Sequence, residues 1–594
     1  MNDLSLSGKE WIYRKYDTSY INFLKENYLL DEITAKLLSI RNIDKNYIES
    51  FLKPSIKSLI PNPNTLKDMG KTTDRILMAI KKDEVIGIFG DYDVDGASST
   101  ALMGNYFRMI GQKFEIYIPD RKSEGYGPTI QSFKKLIDKN VTLIITVDCG
   151  TMSFEAINFA NENKIDVIVL DHHQSEINLP KAHSIINPNR LDDESNLNYL
   201  CAAGVCFMTL ISVNSNLRKA NWFLEKKIDE PNLLNFLDLV SLGTICDVVP
   251  LVGLNRAIVK QGLKIIDLKK NLGLKTLIDL CKIETKTSTY HLGYIIGPRI
   301  NAGGRVGKCS HGANLLLNNN PKESFQIAIE LEKFNSDRKK LEKNLLNIAL
   351  NTISKNINDP VLILYGKNWH EGIIGIIASR IKDKFNKPTI IISLDNKIGK
   401  ASARSIVGFD IGSMILSGVQ QKLLIKGGGH KMAGGFSIEE NKIEEFKSFI
   451  INKFEKKTNK TFDRNKLYLD SAISASALNF DFYQKIEKLS PFGSGNPEPK
   501  FILENVKVIK SFIVGEKHIK SILTSKDGST IKTISFNSFD SDLGQFLLNN
   551  KSNTFNIAGK LSLNEWRGEK NVEFIIDDIS VNKSQKNMVP SSIG

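Results

Sequence analysis

Three aspartates alternate in the segment GDYDVDG, as Asp91, Asp93 and Asp95, directly after the apolar run EVIGIF and directly before the helix-like ASSTALMGNYFRMI. Carboxylates this close repel one another unless a cation lies among them, and hard divalent metals take such oxygen ligands. A solvated acidic turn could have the same sequence, so the segment gains weight only beside others. LIITVDCG sets Asp148 at the end of a second apolar run, and DVIVLDHH sets Asp171, His172 and His173 at the end of a third. LVSLGTICDVVPL places Asp247 in apolar surroundings, where an ionised carboxylate is costly unless it is paired or metal-bound. Imidazole mixed with carboxylate suits Mn2+ better than an all-oxygen Mg2+ cage. The chemistry such residues could hold is that of a bound divalent cation, Mn2+ or Mg2+.

Basic residues accompany the acidic ones. YIPDRKSEGYGP carries Arg121 and Tyr126 in a glycine-flanked loop, and GPRINAGGRVG carries Arg299, Asn301 and Arg305 among glycines that admit close approach. Guanidinium groups bind phosphate through paired hydrogen bonds. A solvated basic loop is the plainer alternative.

Several elements must position these groups. Apolar runs at 85–89, 114–118, 143–147 and 167–170 alternate with amphipathic helical stretches, which reads as βαβ units in a mostly parallel sheet. The aspartates then stand past the carboxyl ends of the strands, where ligands bind in such sheets. Residues 1–80 read as a mixed, mostly helical segment, 81–320 as the first α/β domain, and 321–357 as a long connecting helix. A second α/β domain follows over 358–460, and short β-like runs over 461–583 fit a small OB-like barrel. The polar stretch 584–594 reads as a flexible tail.

The 594 residues carry a net charge of +14 with a pI of about 9.1, an excess that favours polyanionic partners but also follows from a Lys-rich, Asn-rich composition. No apolar run is long enough for a membrane span, no secretory leader is evident, and the six cysteines form no CxxC pair. These features point to a cytoplasmic protein with reduced cysteines.

FGDYDVDG, VDCG, LDHHQ and LGTICDVVPL resemble, in order, the four motifs of the DHH phosphoesterase superfamily. That resemblance implies a two-metal centre with Asp93, Asp95, Asp148, His172 and Asp247 as ligands, and Asp148 as the candidate bridge. Asp91 and His173 either ligate or support the site, and Asp171 orients a histidine. His173 contacts the scissile phosphate or assists proton transfer. KNWHEGIIGIIASRI, KASARS and IKGGGHKMAGG resemble the accessory DHHA1 domain, which implies phosphate contacts from Ser402, Arg404, Ser405, Gly428, Gly429 and His430. With the barrel and the length, the resemblance is to the single-strand exonuclease branch of the superfamily. It implies 5′-to-3′ digestion of single-stranded DNA to mononucleotides in recombination and repair, by a monomer working beside a single-strand binding protein and a helicase. Two other functions fit the same residues: a diesterase for short oligonucleotides or cyclic dinucleotides, and a non-catalytic single-strand-binding replication factor.

Overall fold

The computed structural model describes residues 4–353, 358–457, 465–550, 553–566 and 569–581; the tail expected at 584–594 lies outside them. A short strand, β1 (Glu10–Tyr13), opens the chain. The first sheet contains β2 (Val85–Gly90), β3 (Phe114–Tyr117), β4 (Val141–Val147), β5 (Asp166–Leu170) and β6 (Ser184–Ile186), in the order β3-β2-β4-β5-β6. All its pairings are parallel. Parallel sheets need cover on both faces, and successive side chains supply it. Ile86, Ile88, Leu143, Ile145, Val147, Ile168 and Leu170 enter one core cluster, while Phe89, Ile144, Val167 and Val169 enter another.

Register sets the functional end. Gly90 pairs with Val147, and Val147 pairs with Leu170. The next residues, Asp91, Asp148 and Asp171, therefore leave three neighbouring strands at one level.

The helix Pro321–Ile353 has 33 residues, roughly 50 Å at 1.5 Å per residue. Ala328 and Leu331 near its start belong to the first core, and Leu345, Ala349 and Ile353 near its end belong to a core of the second domain. That domain is a five-stranded sheet of β7 (Leu362–Lys367), β8 (Thr389–Asp395), β9 (Ile398–Arg404), β10 (Lys426–His430) and β11 (Ala433–Glu439), in the order β10-β11-β9-β8-β7. The GGGH segment is thus an edge strand, paired antiparallel to β11.

The C-terminal region adds β12 (Lys466–Leu469), β13 (Ser471–Ala472), β14 (Phe501–Val514), β15 (His518–Thr524), β16 (Thr530–Ser535), β17 (Phe555–Trp566) and β18 (Glu569–Ser580). The last five strands pair in the order β14-β15-β16-β18-β17, and β14 also pairs with β17, so they close a barrel as the sequence suggested. The N-terminal segment is divided between neighbours. Its β1 pairs with β12, and Ile21, Leu24, Leu37, Leu38 and Phe51 join the barrel core, whereas Leu66, Met69, Ile76 and Ile80 join the first core.

Candidate metal centre and phosphate pocket

Asp91, Asp148 and Asp171 arrive on the strand ends, and Asp93 and Asp95 come from the turn into the helix Val94–Met109. Asp93 caps that helix, accepting from Gly96 N at 3.0 Å. A Cβ on Gly96 would stand 2.5 Å from Asp91 O, so only glycine lets the helix start this close to the strand end. Asp95 is buried against the start of the helix Ala202–Lys219 and accepts from Ala202 N at 2.6 Å and Ala203 N at 3.0 Å. The partial positive charge of that helix end favours the carboxylate. Asp247 follows the last turn of the helix Leu237–Cys246, whose Gly243 lies where a Cβ would meet Asp95 Oδ1 at 2.4 Å.

These donors converge. Ligand atoms of Asp91, Asp93 and Asp148 lie within 4.8 Å of one another, and so do those of Asp95, His172 and Asp247, and those of Asp148, His172 and His173. His172 Nε2 stands 3.3 Å from Asp148 Oδ1, 3.6 Å from Asp247 Oδ2 and 3.9 Å from Asp95 Oδ2. Asp91 Oδ1 and His172 Nε2 are buried without a hydrogen-bond partner, although buried polar atoms are nearly always paired. Burial and then Asp93 push the Asp91 carboxyl up to about 8. Burial, then Asp95 and Asp93, push Asp247 up to about 8. Asp148 rises well above the carboxylate range through burial and then the surrounding aspartates, and burial lowers His172. Such a set of unsatisfied oxygen and imidazole donors fits divalent cations.

Asp171 has a different environment. Its carboxylate accepts from His172 N at 2.7 Å, His173 N at 3.1 Å, Thr151 N at 3.1 Å and His173 Nδ1 at 2.8 Å. Burial alone would raise it, but the His173 hydrogen bond and charge outweigh that and hold it low. Burial works against a charged His173, and the hydrogen bond and charge of Asp171 overcome it, raising His173 to about 9. Tyr126 Oη lies 3.3 Å from His173 Nε2 and donates to Asp148 O at 3.2 Å. Asp148 sits at φ +63°, a left-handed conformation that aspartate tolerates.

The predicted phosphate contacts separate into two sets. Arg305 is mostly buried, donates to Gly372 O at 3.1 Å, and is lowered to about 10 by burial and then by the charges of Arg121 and Arg338. The Arg121 guanidinium lies 5.4 Å over the Tyr92 ring. Arg404 and Ser402 hydrogen-bond each other at 3.2 Å and pack against Gly375, in the same helix Glu371–Phe385 that begins beside Arg305. Gly429 and His430 share a cleft of about 510 Å3 with Gln174, the residue after His173, and Gly428 faces open space. Two contacts lie elsewhere. Arg299 is engaged with Glu332 and with Ile295 O at 2.6 Å, and Ser405 is buried with its hydroxyl donating to Phe409 O at 2.6 Å. Asn301 lies half-buried on the helix Gly297–Val306.

The three domains each match a family model: residues 85–244 the DHH family N-terminal domain, 358–456 the DHHA1 domain, and 469–578 the RecJ OB domain. The single-stranded-DNA-specific exonuclease RecJ of Haemophilus influenzae is 33% identical over 543 residues, covering 89% of this chain and 93% of that one. The chain belongs to the RecJ family. The RecJ of Thermus thermophilus in complex with Mn2+ matches with a TM-score of 0.79 at 24% identity, over 97% of this chain and 80% of that one. Its complex with Mg2+ matches with a TM-score of 0.73 at 23% identity, over 97% and 79%. A further exonuclease RecJ bound to manganese gives a TM-score of 0.57 at 29% identity, over 67% of this chain and 96% of that one.

Sequence reasoning missed several residues of this RecJ-family site. Asn187 and Asn189 donate to the carbonyls of His173 and His172 at 2.8 and 2.5 Å and so hold the histidine loop. Their NPNR segment follows a three-residue strand too short to be read as one. His370 caps the helix Glu371–Phe385 and lies close to Lys122 and Arg121, whose charges, after burial, lower it. The NWHEG segment was its only signal.

Proposed function

We propose that this RecJ-family chain digests single-stranded DNA from the 5′ end and releases mononucleotides, using two divalent cations, Mn2+ or Mg2+. The observation that carries this reading is the convergence of two ligand groups, Asp91–Asp93–Asp148 and Asp95–His172–Asp247, with Asp148 Oδ1 3.3 Å from His172 Nε2 where the groups meet. Each group would hold one ion, with Asp148 the candidate to serve both. The bound pair supplies a water of lowered pKa and charge stabilisation at the leaving oxygen.

The chain's own residues do the rest. Asp171 keeps His173 protonated and fixes its ring. A charged His173 donates from both nitrogens: Nδ1 holds Asp171, and Nε2, 3.3 Å from Tyr126 Oη, can turn its proton to a non-bridging oxygen of the scissile phosphate. Tyr126 steadies that ring from the other side. Arg121, Arg305 and Arg404, with Ser402 and the Gly428–His430 edge, receive the terminal phosphate. A strand held by its 5′ phosphate presents its first diester to the metal centre, which accounts for both polarity and product. The barrel extends a basic path for one strand.

Work in cytoplasmic recombination and repair, as a monomer beside a single-strand binding protein and a helicase, is part of the same proposal. The six cysteines are free, as a reducing compartment requires, and among the described residues no helix is long and apolar enough to cross a membrane. The test is digestion of single-stranded and duplex DNA labelled at either end, titrated with Mn2+. Mononucleotides from the 5′ end of single strands are expected. Release from the 3′ end, equal attack on duplex, or activity confined to dinucleotides overturns the reading.

A further inference from the structure

Asp247 completes the second ligand group; its N–H caps its helix on Gly243 O at 2.9 Å, but the backbone that follows leaves the helix at once. The chain leaves it through Val248, exposed and at φ +62°, a conformation that β-branched residues adopt only when their surroundings impose it. The restraint comes from distant parts of the chain. Leu251 N donates to Ser494 O at 2.8 Å, and Asn255 Nδ2 donates to Pro250 O at 3.1 Å and Tyr199 O at 2.5 Å. The turn 489–496 lies against this stretch so closely that a Cβ on Gly493 would reach Leu251 at 2.8 Å, and one on Gly495 would reach Pro250 at 3.2 Å.

Arg256 holds the turn in place. It is 1% exposed, and its guanidinium is satisfied by main-chain carbonyls: Leu489 O and Ser490 O at 2.8 Å, Pro491 O at 3.2 Å and Phe51 O at 2.8 Å. It also stacks 3.9 Å over the Phe51 ring. Asn496 ties the turn internally, donating to Leu489 O and Pro491 O at 2.8 Å, and accepts from Arg41 Nε at 2.8 Å. Three stretches, around 41–51, 247–256 and 489–496, thus meet on one buried cation.

We propose that Arg256 is a positioning residue of the metal centre. By gripping the turn 489–496 it fixes the backbone 248–251 and, through it, the Asp247 carboxylate. Ion binding by Asp95, His172 and Asp247 therefore depends on the C-terminal region being docked. The proposal rests on the two-ion reading above, and the experiment separates the two. Mn2+ binding to the whole chain is counted by calorimetry and electron paramagnetic resonance, and the Mn2+ dependence of digestion is measured alongside. Wild-type protein binds two ions, and Asp247→Asn binds one tightly; any other result for these two sinks the two-ion reading. Arg256→Ala is expected to weaken the second ion by about tenfold or more, as loss of a group orienting a ligand does, while the first ion is unchanged. Excess Mn2+ then restores most of kcat. Arg256→Lys, which keeps the charge but not the fork, falls between. Should Arg256→Ala not fold, Asn496→Ala releases the same turn and shifts Mn2+ dependence in the same direction. A lowered unfolding temperature with unchanged Mn2+ binding in the folded variants would make the cluster merely structural and overturn the proposal.

Discussion

Replacing Asp171 by Asn changes almost no volume but removes the charge that governs His173. In the structure the carboxylate takes three main-chain N–H groups and His173 Nδ1 at 2.8 Å. The amide keeps one oxygen for these donors and turns an NH2 toward the rest, leaving at least one donor facing another. The larger loss is electrostatic. His173 is raised from 6.5 to about 9, but half of its side chain is open to solvent, which screens the pair, so the preference for the charged ring is worth about 1 kcal/mol rather than the full value of the shift. With the charge of Asp171 gone, burial opposes the charged ring and the His173 titration moves down. The sign for stability follows: a group raised on folding stabilises fully below its unfolded pKa and loses that contribution as pH rises through the folded value. Metal-free Asp171→Asn should therefore be less stable than wild type by about 1 kcal/mol at pH 6, with the gap closing between pH 6.5 and 9. Selectively labelled histidine, followed by NMR against pH in the metal-free protein, reads His173 directly, and urea unfolding at pH 6 and pH 9.5 reads the energy. Digestion at saturating Mn2+ should fall by about 100-fold, the usual scale for losing a positioned proton donor. A His173 titration left near 9 in Asp171→Asn would refute the reasoning.

Asp148→Ala should abolish nuclease activity while largely sparing single-strand binding, which gel-shift and digestion assays separate. Gly243→Ala puts a Cβ 2.4 Å from Asp95 Oδ1, so Mn2+ affinity should drop about 10- to 100-fold with the overall fold retained by circular dichroism. Arg404→Ala should weaken binding of 5′-phosphorylated ends by roughly tenfold or more, against little change for 5′-hydroxyl ends; equal effects on both would remove it from the phosphate pocket. Because Asp91 and Asp247 lie near 8 without cations, ion uptake at pH 7 should release protons, seen as a buffer-dependent calorimetric enthalpy.

The metal centre was legible because its signals are local. Each apolar run ends in an acidic residue, and the alternation of βαβ units brings such ends to one edge. What the sequence did not carry was the contacts made across the fold. Arg299 and Arg305 stand six positions apart in the same glycine-rich segment, yet one is tied to Glu332 on the connecting helix while the other turns toward Arg121 and the second domain. Ser405 looked as available as Ser402, but its hydroxyl closes a turn onto Phe409 O. The strands β10 and β11 were hard to read because glycines replace the β-branched residues that usually signal a strand. Arg256 gave no sign at all, since a buried cation bound only to carbonyls lacks the acidic partner that would have marked it.

The pairing of β1 with β12 joins residues more than 450 positions apart, and Trp11 Nε1 reaches Asp578 at 2.9 Å. Residues 10–51 leave the ribosome long before the strands β12–β18 that cover their apolar side chains. A polypeptide released early would keep Ile21, Leu24 and Leu38 exposed to water and to chaperones and proteases.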